Sequence, residues 1–428
     1  VAIRHHSERG NGFGRLSPIG QDQAMDTVEI EAGDLLLRPW RPDDAPEVAR
    51  ACQDPELHRW IHLPHPYQLA DAEQFVALTA RAWADGTAAQ FGVFDRQSGH
   101  LLGANGLFNL GRGSAELAYW VAPWARGRGV ATRATHAVAA WSFDQLGLTR
   151  LAWRAKVGNY ASRVIAERLG FRPEGIMRNG GARFQLPPVD CWTASLLPGQ
   201  LRAPDTPLDP LVRLRARTFG ADQPRLATAG AAPALRPLRL DDIDAVMVAC
   251  SDPEAQRWTT VPVPYRRADA ESFVTAHAPG LWARGDGAVF VLADPDDAFA
   301  GSMELRLTGG SGVAEVGYLV APWARGRGYA SAGLGRLCRW AFAELGLHRI
   351  EWRAHVGNEA SRRVALRAGF TMEGIARAGC VQRGEYRDAW TGAILAGDTS
   401  PDALGSGGLV LGGLGSGGDS AEEDVRGG

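Results

Sequence analysis

The chain has 428 residues and a mass of 45.8 kDa, more than one ordinary domain needs, so two or three domains are expected. Hydrophobic residues make up 45% and charged residues 22%, a globular balance, and the net charge of -2 excludes a basic chain built to coat nucleic acid. No apolar run reaches the roughly 18 residues of a membrane span, and residues 1–30 lack the apolar stretch of a secretory signal, so a soluble, cytoplasmic protein without nucleic-acid or membrane partners is expected.

In chain order, the first predicted strand is Leu35–Trp40, and Asp43 and Asp44 after it can cap a helix. Asp71 opens a second helix that runs to about Trp83. Ala89–Asp95, Leu101–Leu110 and Ala115–Val121 read as consecutive antiparallel strands. A long helix follows over Val130–Leu146, with Val130, Ala134, Ala137, Val138 and Trp141 at spacings of three and four, and Gly147 ends it. Leu151–Lys156 is a strand, Ala161–Leu169 a short helix stopped by Gly170, and two strands close the unit.

The same order then repeats. VAPWARGRG occurs at Val121–Gly129 and again at Val320–Gly328, and 35 of 63 positions are identical between residues 116–178 and 315–377. Upstream, LRPWRPDDA at Leu37–Ala45 matches LRPLRLDDI at Leu235–Ile243 with an offset smaller by one, which places a one-residue length difference near residues 77–82. A period of this length is too long for a solenoid. Two copies of one domain are expected, at residues 31–197 and 232–397, each an α/β (α+β) unit with a mixed, mostly antiparallel sheet flanked by helices. Residues 1–30 read as a flexible extension, 198–231 as a linker, and 398–428 as a Gly/Ser-rich disordered tail. Arg4–Ala24 resembles the opening of a histidine phosphatase, without the rest of such a domain.

Five cysteines without CxxC spacing read as small buried hydrophobes in a reducing compartment. His58, His62 and His65 have tempting metal spacing, but Pro64 and Pro66 would break the helix it requires, so no metal is expected.

The strongest chemical signal is Arg126-Gly127-Arg128-Gly129-Val130-Ala131 and its twin Arg325-Gly326-Arg327-Gly328-Tyr329-Ala330, each between a strand and a long helix. Glycines allow positive φ and close backbone approach, and a helix start offers unpaired N–H groups. Together they make a cradle for a pyrophosphate.

With Asn-x-x-Ser at Asn159–Ser162 and Asn358–Ser361, and Gly-Phe-x-x-Glu-Gly at Gly170–Gly175 and Gly369–Gly374, the chain resembles GNAT acyltransferases. It most resembles their ribosomal-protein N-terminal acetyltransferase branch (RimJ/RimL-like). The resemblance implies acetyl-CoA as cofactor, its pyrophosphate on the two glycine turns and its pantetheine arm on backbone amides around Val121 and Val320. It also implies that Asn159 and Asn358 contact the cofactor and that Ser162 and Ser361 lie near its sulfur.

Acyl transfer to an amine needs a proton acceptor for the amine and a donor for the leaving thiolate. Glu116 and Glu315, on the strand before each turn, are candidate bases, and Ser162 and Ser361 candidate acids. A structural carboxylate and a helix cap are the bland readings of these residues, and Asn159 and Asn358 also suit an N-cap. Trp60 and Trp258 recur beside Arg59 and Arg257 and are candidates to line the acceptor cleft, whereas Trp124 and Trp323 read as packing anchors.

The copies differ late. Gly384-Glu385-Tyr386-Arg387-Asp388 keeps the family's Gly-x-Tyr-x-Asp pattern, with Tyr386 a substrate candidate, while copy one has Leu186-Pro187-Pro188-Val189-Asp190. Copy two is therefore the safer choice for activity on a family-like acceptor. The expected function is acetyl transfer to a primary amine by direct attack, with a protein or peptide N-terminal amine first and a small-molecule amine second. An acyl-CoA-binding module with one or both copies inactive is the reading from another class. Duplication also suggests a monomer whose halves pack as an internal pseudo-dimer.

Overall fold

The computed structural model describes residues 2–5, 25–180, 189–227, 233–308 and 312–398. Strand β1 (Ala2–His5) pairs with β2 (Val28–Ala32), which turns through Gly33 into β3 (Leu35–Pro39). The segment expected as an extension therefore supplies two strands. Val28 and Ile30 alternate inward and are buried at 3% and 0% exposure, so β2 has a core face of its own. Residues 6–24, which carry most of the phosphatase-like stretch, lie outside the described residues.

Helices α1 (Ala45–Ala51), α2 (Pro55–Trp60) and α3 (Leu69–Ala84) follow. Asp44 does not cap α1 through its side chain. It accepts the Arg41 N–H at 2.7 Å and both ends of the half-buried Arg38 guanidinium at 2.8 Å. Asp242 holds Arg236 with the same geometry, which explains why the RP–DD spacing occurs twice.

The remaining elements of the first unit are β4 (Ala89–Asp95), β5 (Leu101–Gly111), β6 (Ser114–Val121), α4 (Val130–Asp144), β7 (Arg150–Lys156), α5 (Tyr160–Leu169), β8 (Arg172–Met177) and β9 (Cys191–Leu196). The sheet order is β1-β2-β3-β4-β5-β6-β7-β9-β8, and only β6 and β7 run parallel, joined by the α4 crossover.

Part of the expected linker is a helix, α6 (Pro210–Phe219). Asp209 accepts the Leu211 N–H at its start, and Pro210 sits in its first turn. Phe219, 3% exposed, explains the helix's place. Its ring stacks on Tyr160 of α5 at 6.4 Å and meets Trp282 edge-on at 4.8 Å.

The second unit repeats the plan with β10 (Ala234–Arg236), α7 (Ile243–Ser251), α8 (Pro253–Trp258), α9 (Arg267–Ser272), a π-helical turn at Phe273–His277, and α10 (Ala278–Arg284). Then come β11 (Gly287–Ala293), β12 (Phe299–Thr308), β13 (Val313–Val320), α11 (Tyr329–Leu345), β14 (Arg349–His355), α12 (Glu359–Arg367), β15 (Thr371–Gln382) and β16 (Glu385–Leu395). The order is β10-β11-β12-β13-β14-β16-β15, again with one parallel pair, β13 with β14.

The one-residue length difference takes physical form in the π turn. Where α3 is a continuous helix, its counterpart widens for one turn, and Pro279, which has no N–H to give, follows directly. The two units meet through unlike elements, α5 of the first and α10 and α11 of the second, on either side of α6. A pseudo-dimer of matching faces is thus not what joins them, because an isologous contact would use the same patch twice.

Candidate active site

In each unit the parallel ladder stops early. It pairs Ser114–Leu117 with Arg150–Trp153, and Val313–Val316 with Arg349–Trp352. Beyond those points β6 and β7, and likewise β13 and β14, diverge. Among the described residues, the edges of Ala118–Val121 and Gly317–Val320 that face the gap have no partner strand, while their other edges stay paired to β5 and β12. An unpartnered strand edge with free N–H and C=O groups suits an amide-bearing chain such as pantetheine. Val121 and Val320 lie at the ends of these edges.

The glycine turns begin immediately afterwards. Gly127 and Gly129 have φ of 75° and 70°, and Gly326 and Gly328 both 77°; a Cβ added at any of the four would meet nothing within 4 Å. Gly129 and Gly328 are the N-caps of α4 and α11, so the first-turn N–H groups at Val130, Ala131, Tyr329 and Ala330 open onto this space. A positive φ and an open concavity at a helix start fit a diphosphate. The first arginine of each turn serves another purpose. Arg126 pairs with Asp54 and Arg325 with Asp252 at 2.5 Å, and these aspartates cap α2 and α8. The pairs tie each turn to an earlier helix, α2 or α8, and leave Arg128 and Arg327 as the turns' other cations. Trp124 and Trp323 anchor the turns by donating to the Leu101 and Phe299 carbonyls at 2.7 and 3.1 Å.

Asn159 and Asn358 cap α5 and α12, each accepting the N–H of the serine three residues on, at 3.1 Å. The cap reading is thus realised, and it places Ser162 and Ser361 in the first turn. Each serine hydroxyl accepts an indole N–H, from Trp153 at 3.2 Å and Trp352 at 3.1 Å. Each also lies 3.0 Å from a tyrosine hydroxyl, Tyr119 or Tyr318. Those tyrosines were missed in the sequence. The signal was present as Glu-x-x-Tyr in both copies, but the contact spans 43 residues. Burial pushes both phenols up to about 12, so they stay protonated donors.

The candidate bases have different surroundings. Both oxygens of Glu116 are taken by Arg154, and Asn109 donates to one of them at 3.3 Å. Glu315 accepts from Arg306 at 2.9 Å through Oε1, while its Oε2 is 3.7 Å from Arg353.

A cavity of about 760 Å³ in the second unit brings these groups together. Glu315, Tyr318, Val320, Asn358 and Ser361 line it, as do Arg325, Gly326, Gly328, Tyr329 and Ala330 of the turn. Trp258 lines it too, half-buried against Gly357, with its N–H on Glu254 at 3.0 Å; Trp60 has the same position against Gly158. Tyr386 is not brought in. It is 74% exposed and outside the cavity lining, on the β15–β16 hairpin end where Glu385–Asp388 are all exposed. In copy one, Leu186, Pro187 and Pro188 lie outside the described residues. Val189 and Asp190 are described, and Asp190 accepts the Asn179 N–H at 3.1 Å, as Asp388 accepts that of Ala378 at 2.9 Å.

His58 bonds the Cys52 carbonyl at 2.8 Å and meets His65 edge-on, and among the described residues no group of three or more His, Cys, Asp or Glu could hold a metal. No described helix is long and apolar enough to cross a membrane. Cys52, Cys191, Cys250 and Cys338 are buried, and Cys380 is half-buried at the cavity wall.

Two splayed sheets, each opening onto a glycine turn at a helix start, have the shape that an acylated, diphosphate-bearing cofactor requires. The family model of the acetyltransferase (GNAT) domain matches residues 34–172 and 234–371, and the chain belongs to that family. It is an N-acetyltransferase that uses acetyl-CoA. A Bacillus subtilis (strain 168) protein with the provisional name ribosomal N-acetyltransferase YdaF is 32% identical over 152 residues, 34% of this chain and 82% of that protein. The uncharacterized N-acetyltransferase p20 of Bacillus licheniformis is 25% identical over 177 residues, 40% of this chain and 97% of that protein. Among solved structures, Mycobacterium smegmatis RimJ in complex with CoA-disulfide is 26% identical, covers 41% of this chain and 87% of its own, and has a TM-score of 0.37.

Proposed function

We propose that the chain acetylates a protein or peptide N-terminal amine, and that the second unit carries this activity. The bound cofactor supplies a thioester carbonyl open to an attacking amine. The chain's own residues have to hold it, deliver the amine unprotonated and return a proton to the sulfur side.

The glycine turns of both units are read as diphosphate cradles. The unpartnered edge ending at Val320 would hold the arm above them, and Asn358 and Ser361 would stand beside it. Tyr318 has one proton and two acceptors, the Ser361 carbonyl at 2.9 Å and Oγ at 3.0 Å. When Tyr318 and Trp352 both donate to Oγ, the serine's own hydrogen is free for the cleft, the arrangement a proton donor requires. Glu315 is the preferred base, through water, because Oε2 makes no hydrogen bond shorter than the 3.7 Å approach of Arg353. Glu116 has both oxygens committed to Arg154, which favours a structural role.

The observation that carries this reading is the open second-unit cavity, which reaches from the glycine turn past Ser361 to Glu315 and Trp258. The N-terminal amine is preferred over a small amine because the first relative's name assigns it a ribosomal substrate. Mass spectrometry of products from a mixed pool of N-terminal peptides and small amines, supplied with acetyl-CoA, tests the choice. Acetyl-peptides support it, and labelled small amines alone replace it with the second reading.

A further inference from the structure

The two units differ at one point on the acceptor side, and the difference changes which groups are free. In the first unit Phe108 lies opposite Glu116 in the β5–β6 register; in the second, Arg306 lies opposite Glu315. Phe108 offers Glu116 no charge, and Glu116 closes on Arg154 of β7 through both oxygens. Arg306 instead takes Glu315 at 2.9 Å and Glu304 at 3.1 Å. Arg353, the counterpart of Arg154, is then held only loosely, 3.7 Å from Glu315 and 3.8 Å from Glu351.

Glu351 in turn has its own closer partner, Arg349 at 3.0 Å, where the first unit has Ala152. Arg353 is 45% exposed at its side chain, against 25% for Arg154, and it lines the cavity with Glu315, His355 and Trp258. On β14 it alternates with Trp352, the residue bonded to Ser361, so it projects from the opposite face. A guanidinium with uncommitted N–H donors in such a cleft is suited to a carboxylate.

We propose that Arg353 receives a carboxylate on the acceptor, so that the second unit selects amines bearing an acidic group nearby, while the first unit, with Arg154 clamped on Glu116, does not. This rests on the N-terminal-amine reading above and narrows it. The shared chemistry has two sources, an acidic side chain next to a peptide N-terminus or the α-carboxylate of a free amino acid. Glu304, Glu315 and Glu351 are the groups that oppose an anion here, and each has an arginine within 3.1 Å.

The experiment uses the full chain and acetyl-CoA, with CoA release read for peptides Ser-Asp-Ala-Ala, Ser-Ala-Ala-Ala and Ser-Lys-Ala-Ala (each C-terminally amidated) and for free glutamate and its diamide. One charge-assisted hydrogen bond corresponds to about 10- to 100-fold in kcat/KM. The acidic peptide, or glutamate, is expected to exceed its neutral partner by about that factor, mainly through KM. Arg353→Gln removes the ratio but leaves kcat on the neutral acceptor, Arg306→Phe lowers it by letting Glu315 capture Arg353, and Arg154→Gln leaves it unchanged. A lysine or alanine preference in the wild type overturns the inference. So does an equal loss on every acceptor in Arg353→Gln, with the acetylated-peptide reading still standing. Release on glutamate but on no peptide overturns that reading alone, and release on no acceptor removes both.

Discussion

Trp352 donates its indole N–H to Ser361 Oγ across 3.1 Å, and the same bond joins Trp153 to Ser162 at 3.2 Å. Each tryptophan is the last paired residue of its strand before the splay, so each sheet sets the direction of a hydroxyl on the following helix. If that hydroxyl delivers a proton, Ser361→Ala should lower kcat about 100-fold or more and change the acetyl-CoA Kd by less than about threefold. Stopped CoA release and titration calorimetry read the two quantities. Matching losses in both would assign the serine to cofactor binding.

The glycine turns give a separable result. Gly328 combines φ of 77° with open space on its Cβ side. Gly328→Val both strains the backbone and fills the cradle, and should weaken acetyl-CoA at that unit by at least about tenfold. Calorimetry is expected to count two sites in the native chain, one in Gly328→Val, and none when Gly129→Val is added. A native count of one would mean that only a single turn holds cofactor.

Phe219 is expected to matter for the joining of the units and not for chemistry. Its ring fills the space between Tyr160 and Trp282, and Phe219→Ala should cost about 3 kcal/mol. Differential scanning calorimetry should then resolve separate transitions where the native chain gives closer ones. An unchanged trace would show that α6 adds little to the junction.

His355 supplies a pH signature. Burial, with a smaller push from Arg387, holds its imidazole below the ordinary value, and Nδ1 is buried without a partner. The folded chain therefore resists a proton that the unfolded chain accepts near pH 6.5. This contribution to stability is fully present above that pH and is lost as the pH falls towards the folded value. Tm should drop more between pH 7.5 and 5 in the native chain than in His355→Gln, and parallel drops would exclude the effect.

Much of the fold was readable because its signals are local. Ala89–Asp95 and Tyr160–Leu169 announce themselves by period, cap and stop, and duplication exposed the rest. The glycine turns were legible for the same reason. The failures are non-local or short. β2 needed β3 to become a strand, and α2 is six residues begun by a proline. In α6 the surrounding prolines masked the Asp209–Pro210 start, and its aromatic partner comes from the other unit. In the site, the exposed hairpin end at Glu385–Asp388 carries Tyr386 away from the cavity, whereas the Tyr318–Ser361 contact and the release of Arg353 depend on strand register, which no single segment displays.

The π turn has an effect on how the halves can be exchanged. The turn absorbs the added residue, so that Trp282 beyond it still meets Trp340 at 6.3 Å as Trp83 meets Trp141 at 6.1 Å. Within the turn His277 reaches Glu304 at 3.2 Å and stacks on Phe273, which lines the cavity. A chimera that transplants α3 into the second half would remove the turn and with it the His277–Glu304 contact. The duplicated halves, so alike in their cofactor turns, have ceased to be interchangeable parts.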